Sequence, residues 1–136
     1  MQIISYNICN QYHTTMNEIG EKINFEEITK NCRVMNPQET IAQMRGMNPH
    51  KYMCWGATKF TVDNMRNPKM LRFYVSGMKH KGHVYVFVNG LDLYDVYICT
   101  TKGTIVHKSG DMGLYFDDLT DWIDYRLWLY KEIYHK

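Results

Sequence analysis

The stretch that decides the fold is HVYVFVNGLDLYDVYICTTKGTIVHKSG, residues His83 to Gly110. Its alternation of β-branched and aromatic residues reads as sheet. Asn89-Gly90 is the strongest short hairpin signal in it, because a type I′ turn needs positive φ at both central positions. Lys102-Gly103 supplies a second tight turn. The spacing predicts a three-stranded antiparallel meander over about 83–88, 91–101 and 104–108.

Two-residue turns would also fix the faces, since neighbouring strand residues point to opposite sides of a sheet. Val88 then opposes Leu91, Val86 opposes Leu93 and Cys99 opposes Val106, an aliphatic face that also holds Val84 and Tyr97. The other face collects His83, Tyr85, Phe87, Asp92, Tyr94, Val96, Ile98, Ile105 and His107. Covered by a helix, it is a second core layer. Left open beside lysines and arginines, it is a stacking platform of the kind single-stranded nucleic acid uses.

The same parity argues against catalysis. Asp92 and Asp95 point to opposite faces, a poor arrangement for two carboxylates that must flank one bond. His83 and His107 stand two strand spacings apart, about 9–10 Å, too far to share a metal. No nucleophile–base order, P-loop or dinucleotide glycine pattern is present. The reading is of a protein that is not an enzyme, with no catalytic residue, metal or cofactor.

Outward from the meander, FDDLTDWIDYRLWLYKEIYHK reads as a long helix, with Phe116, Leu119, Ile123, Leu127, Tyr130 and Tyr134 on one stripe. Its aspartates favour the helix N-terminus, while Tyr125 and Trp128 point away from the stripe. On the other side, MLRFYVS is a strand and KYMCWGATKFTV a strand or strand pair broken at Gly56. Asn36-Pro37-Gln38-Glu39 is a clear helix start, with Asn36 as cap, Pro37 at the first position and Glu39 reaching back, and Gly46 as the stop. Met16, Ile19 and Ile23 suggest an earlier helix after Thr14/Thr15, and Asn24 with Glu27 restarts one at Phe25. The predicted fold is α+β: N-terminal helices, a four- to five-stranded antiparallel sheet with a hairpin at Asn89-Gly90, and a long C-terminal helix packed on it. All 136 residues form one domain, with 1–34 a helical N-terminal extension and 35–136 the core.

No apolar run approaches the length that spans a bilayer, and the N-terminus lacks a secretion signal, so a cytoplasmic protein without membrane contact is expected. Cys9, Cys32, Cys54 and Cys99 are widely spaced and read as free thiols. Cys9 with His13 and His50 with Cys54 have helical spacing, but neither has a second pair to complete a zinc site.

Net charge is only +2, but Arg45 to Lys81 holds eight basic residues against one acid, Asp63. Seven of the ten methionines lie between Met35 and Met78, and flexible methionines suit adaptable interfaces. The candidate binding residues are Lys59, Arg66, Lys69, Arg72, Lys79, Lys81, His83, Tyr85, Phe87, Tyr94, His107 and Trp128.

Glu39 to Gly46, Gly56-Ala57 with Phe60, Asn89-Gly90-Leu91-Asp92-Leu93-Tyr94-Asp95 and Asp118-Leu119 together carry a resemblance. From Met35 to about Tyr130 the chain resembles a group of short proteins of bacteriophages and related mobile elements that carry no assigned activity. It departs at Thr58, where the group has lysine and this chain places Lys59 one residue later. The resemblance implies an accessory protein of a phage-like genome, acting in the host cytosol by binding. A host protein, such as an antiviral-defence component, is the favoured partner, on the acid-rich final helix, Trp128 and the methionines. Nucleic acid is the alternative, through the basic 45–81 segment and the aromatic face. The oligomeric state stays open, a homodimer included.

Overall fold

The computed structural model describes residues 17–110 and 113–134, with side chains as far as Leu129. It is an α+β fold. In chain order the elements are α1 (Phe25–Thr29), β1 (Cys32–Arg33), α2 (Pro37–Met47), α3 (Pro49–Cys54), β2 (Thr58–Val62), β3 (Leu71–Val75), β4 (Gly82–Asn89), β5 (Tyr94–Thr100), β6 (Ile105–Lys108) and α4 (Phe116–Tyr134). The sheet has six strands, in the order β2-β3-β4-β5-β6, with the short β1 paired to the far end of β4. Every pairing is antiparallel.

The asparagine caps of α1 and α2 operate as read, while the expected return bond from Asn36 N–H to the Glu39 carboxylate is not among the bonds formed by the described residues. Asn24 accepts from the Glu27 N–H and Asn36 from the Glu39 N–H, each satisfying a donor that the first helical turn leaves open. Pro37 opens α2, which continues one residue past Gly46 to Met47. The next element differs from expectation. Residues 49–54 are helix, not strand, because Asn48-Pro49 repeats the same start: Asn48 accepts from Lys51 N–H at 3.1 Å. The β-rich look of KYMCW gives way to that cap. Residues 17–24 are not helical either, with Gly20 at φ 96°. That segment lies along β6, with Gly20 N–H donating to Ile105 C=O and Ile23 N–H to Gly103 C=O. Thr14, Thr15 and Met16 lie outside the described residues.

The meander forms, but its turns have three residues rather than two. Asn89 N–H donates to Leu93 C=O at 2.8 Å and Asp92 N–H to Asn89 C=O at 3.0 Å, with Asp92 left-handed at φ 63°. This is the three-residue hairpin loop, a turn closed by one left-handed residue. The Asn89 side chain completes it, accepting from Leu91 and Leu93 N–H and donating to Asp95. Thr101–Gly103 repeats the form, with Gly103 at φ 89°.

One extra loop residue inverts β5 relative to β4. Val84 opposes Ile98, Val86 opposes Val96, Val88 opposes Tyr94, and Tyr85 opposes Tyr97. The face assignment expected from two-residue turns is therefore wrong for β5: Val96, Ile98 and Tyr94 join the valines, and Tyr97 and Cys99 join the rings. Cys99 opposes Ile105, and a bulge precedes the pairing of Ile98 with His107.

One face packs on the helices. Phe73, Val75, Val84, Val86, Val96 and Ile98 meet Met44, Trp55, Leu119, Ile123 and Leu127 in the main core. The three buried α4 aliphatics contribute about 2 kcal/mol each. Phe116, expected on the same stripe, is exposed; the side chains of Tyr130 and Tyr134 lie outside the described residues. Polar contacts set the register of α4: Thr120 Oγ1 donates to Met44 C=O at 2.7 Å and Lys51 pairs with Asp121 at 3.0 Å. The other face carries a smaller core of Met70, Tyr85, Phe87, Cys99 and Ile105, covered by Ile23, Phe25, Ile28 and Cys32.

Cys32, Cys54 and Cys99 are free thiols, and Cys9 lies outside the described residues. Among the described residues no helix is long and apolar enough to cross a membrane, and no group of three candidate ligands could hold a metal.

Candidate anion-binding site at the open end of the sheet

The cover from residues 17–33 sits over the middle of the second face and the hairpin end of β4, so Tyr85 and Phe87 are 5% and 0% exposed. These two rings are core and cannot serve as a platform. The opposite end of the same face is only partly covered. There Tyr74 of β3 pairs with His83 of β4, their rings edge-on with centroids 5.5 Å apart.

Lys59 reaches this pair through a backbone irregularity. The register between β2 and β3 shifts between Thr58 and Thr61, and Lys59 is left-handed at φ 56°. Bulges re-aim a side chain in this way. Lys59 Nζ stands 5.3 Å from the centroid of the Tyr74 ring. Arg72, two residues before Tyr74 and therefore on its face, opposes Tyr85, and its guanidinium works against the burial that raises the Tyr85 pKa. Arg72 Nε is buried without a hydrogen-bond partner among the described residues.

Neither Lys59 nor Arg72 takes part in an ion pair among the described residues; the pairs formed are Lys30–Glu27, Arg33–Asp92, Lys51–Asp121 and Lys108–Glu18. Their charge acts on His83 instead. Burial, then Arg72 and Lys59, push the imidazole below its ordinary pKa, while a backbone hydrogen bond at Thr100 opposes them. The charged form of His83 is thus disfavoured beside two cations. Exposed Lys81 immediately precedes β4 at the same end.

The remaining sequence candidates lie elsewhere. Arg66 is exposed on the β2–β3 loop, and Lys69 is close enough to Cys32 to act on its thiol near the hairpin end of β4. Lys79 Nζ lies 4.4 Å over the Trp128 ring, which is on α4. Tyr94 is on the helix-covered face, bonded to Gln43 and Thr40 of α2. His107 pairs with Ile98 and so faces α4, where Arg126 bears on it. Neither belongs with His83. Tyr74 is the residue that the meander-centred reading misses, although alternation in Leu71–Val75 places Arg72 and Tyr74 on one face.

Chemically, two cations that have no carboxylate partner among the described residues can hold phosphate oxygens while a phenol ring offers a stacking surface. Compared with known proteins, the chain matches no family, no curated protein and no solved structure.

Proposed function

We propose that this protein is a non-catalytic binder that takes single-stranded nucleic acid at the Tyr74 end of its sheet. The observation that carries the reading is Lys59 poised over Tyr74 with Arg72 alongside, neither in an ion pair among the described residues. Stacking of one base on Tyr74 contributes about 1–3 kcal/mol, and the cations add phosphate contacts that weaken with salt. The resemblance to short phage proteins supports an accessory role in such a genome. Fluorescence anisotropy with a labelled oligo-dT tests it: binding that falls sharply in Tyr74→Leu supports the reading, and binding that ignores the substitution overturns it.

A second reading, recognition of a host protein, is supported by a different surface. Tyr115, Phe116 and Trp128 are 63%, 54% and 44% exposed, the kind of aromatic side chain that anchors protein interfaces.

A further inference from the structure

A cleft of about 340 Å³ opens between the start of α2, the β4–β5 hairpin and the start of α4. It lies on the helix-covered face, near Val88 and Tyr94, whereas the Lys59–Tyr74 cluster is on the opposite face near His83. His83 and Val88 are five positions apart on β4, about 17 Å at the usual rise. The two sites are independent.

The floor of the cleft is Tyr94, whose hydroxyl donates to Gln43 Oε1 at 2.5 Å and lies 3.3 Å from Thr40 Oγ1. Exposed Tyr115 and Phe116 form one wall. Glu39 of α2 also lines the cleft. In a capping box its carboxylate would bond back to Asn36 N–H, yet only the forward bond, Glu39 N–H to Asn36 Oδ1, is made. The Glu39 carboxylate therefore has neither that bond nor an ion pair among the described residues. It still bears on the pocket, adding to burial in raising the Tyr94 pKa. Asp92, also lining the cleft, already holds a guanidinium: Arg33 Nε is 3.3 Å from its Oδ1.

We propose that this cleft receives an arginine side chain from a partner protein. The guanidinium sits against the Tyr115 and Phe116 rings and hydrogen-bonds the Glu39 carboxylate. An arginine fits because its planar cation both stacks on rings and bonds a carboxylate through two parallel N–H groups. Asp117 and Asp118, in the first turn of α4 directly after Phe116, add negative charge to that helix end. The proposal rests on the protein-partner reading, and the nucleic-acid site does not enter it.

The test is an NMR titration of the full ¹⁵N-labelled chain with a short Gly/Ser peptide carrying one central arginine. Matched peptides carry citrulline or leucine at that position. Amides of Gln43, Tyr94 and Tyr115 are expected to shift with the arginine peptide, at least five-fold more weakly with citrulline. Glu39→Gln, which keeps the backbone cap, should weaken binding at least five-fold, and Tyr115→Ala at least three-fold. The Glu39→Gln variant should keep the dispersed ¹H–¹⁵N spectrum of the unaltered chain away from the cleft, which shows that it is folded. Absence of shifts, equal binding of citrulline, or indifference to Glu39→Gln overturns the proposal. Equal binding of the leucine peptide overturns the arginine assignment but leaves the protein reading standing. Spermidine binding as tightly as the peptide overturns a protein source.

Discussion

The indole N–H of Trp55 donates to Asp124 Oδ1 across 3.1 Å, joining the end of α3 to the middle of α4. The ring is fully buried against Phe73, with centroids 6.2 Å apart and planes nearly parallel. One side chain thus fills the core and fixes the position of the long helix. Trp55→Phe should cost about 2–4 kcal/mol, because packing is lost together with a hydrogen bond to a charged group. Asp124→Asn, which keeps an acceptor, should cost about 1 kcal/mol or less. Midpoints of urea unfolding separate the two.

A paired glycine test follows from the close approach at the start of β4. A Cβ on Gly82 would lie 2.1 Å from Cys99 C=O and 2.6 Å from His80 Nε2, and backbone cannot yield there. Gly82→Ala should destabilise by about 3 kcal/mol or more. Gly46, within α2, meets nothing within 4 Å. Gly46→Ala should stabilise by about 0.5–1 kcal/mol through helix propensity. Thermal melts of the two variants should move in opposite directions.

The hairpin gives a sharper discrimination. In a type I′ turn Gly90 would need positive φ and alanine would be strained; here Gly90 is outside that region and has open space around it. Gly90→Ala should change stability by about 0.5 kcal/mol or less. Asn89→Ala should cost about 1–3 kcal/mol, since the side chain serves two loop N–H groups and Asp95. Equal, large losses in both variants would contradict the three-residue turn.

That same loop explains how much was legible in the sequence. Helix caps, the meander, the C-terminal helix and exposed Trp128 all follow from local rules applied to a few adjacent residues. The face of each β5 side chain depends on one loop residue more or fewer. Asn89-Gly90 is equally compatible with a two-residue loop and with a three-residue loop closed by Asp92, so parity was decided by a choice the local sequence does not make. Covering of Tyr85 and Phe87 depends on Ile23, Phe25 and Ile28 arriving from far away in the chain. Tyr74 was legible by alternation, but Lys59 comes over its ring only through the β2 bulge.

Acid should destabilise the fold through its histidines. Burial, then Arg126 and His80, push His107 down to about 4, and its Nε2 is buried without a hydrogen-bond partner among the described residues. His80 and His83 are lowered as well, chiefly by burial. A base with a lowered folded pKa binds fewer protons folded than unfolded. The stability is fully present above the unfolded histidine value near 6.5, falls as pH drops from there toward about 4, and levels below that for His107. For this partly exposed group the loss should be about 1–2 kcal/mol. His107→Gln should flatten the stability profile between those two pH values; an unchanged profile would contradict the assignment.

The central claim is that Lys59 and Tyr74 act together as a phosphate-and-base contact, and salt dependence tests it most directly. Oligo-dT affinity is measured from about 50 to 200 mM salt for the unaltered chain and for Lys59→Ala. The predicted result is a log–log slope that becomes shallower by about 0.7 in the variant, the loss of one single-strand phosphate contact. A slope near zero in the unaltered protein, or one identical in Lys59→Ala, would contradict the account.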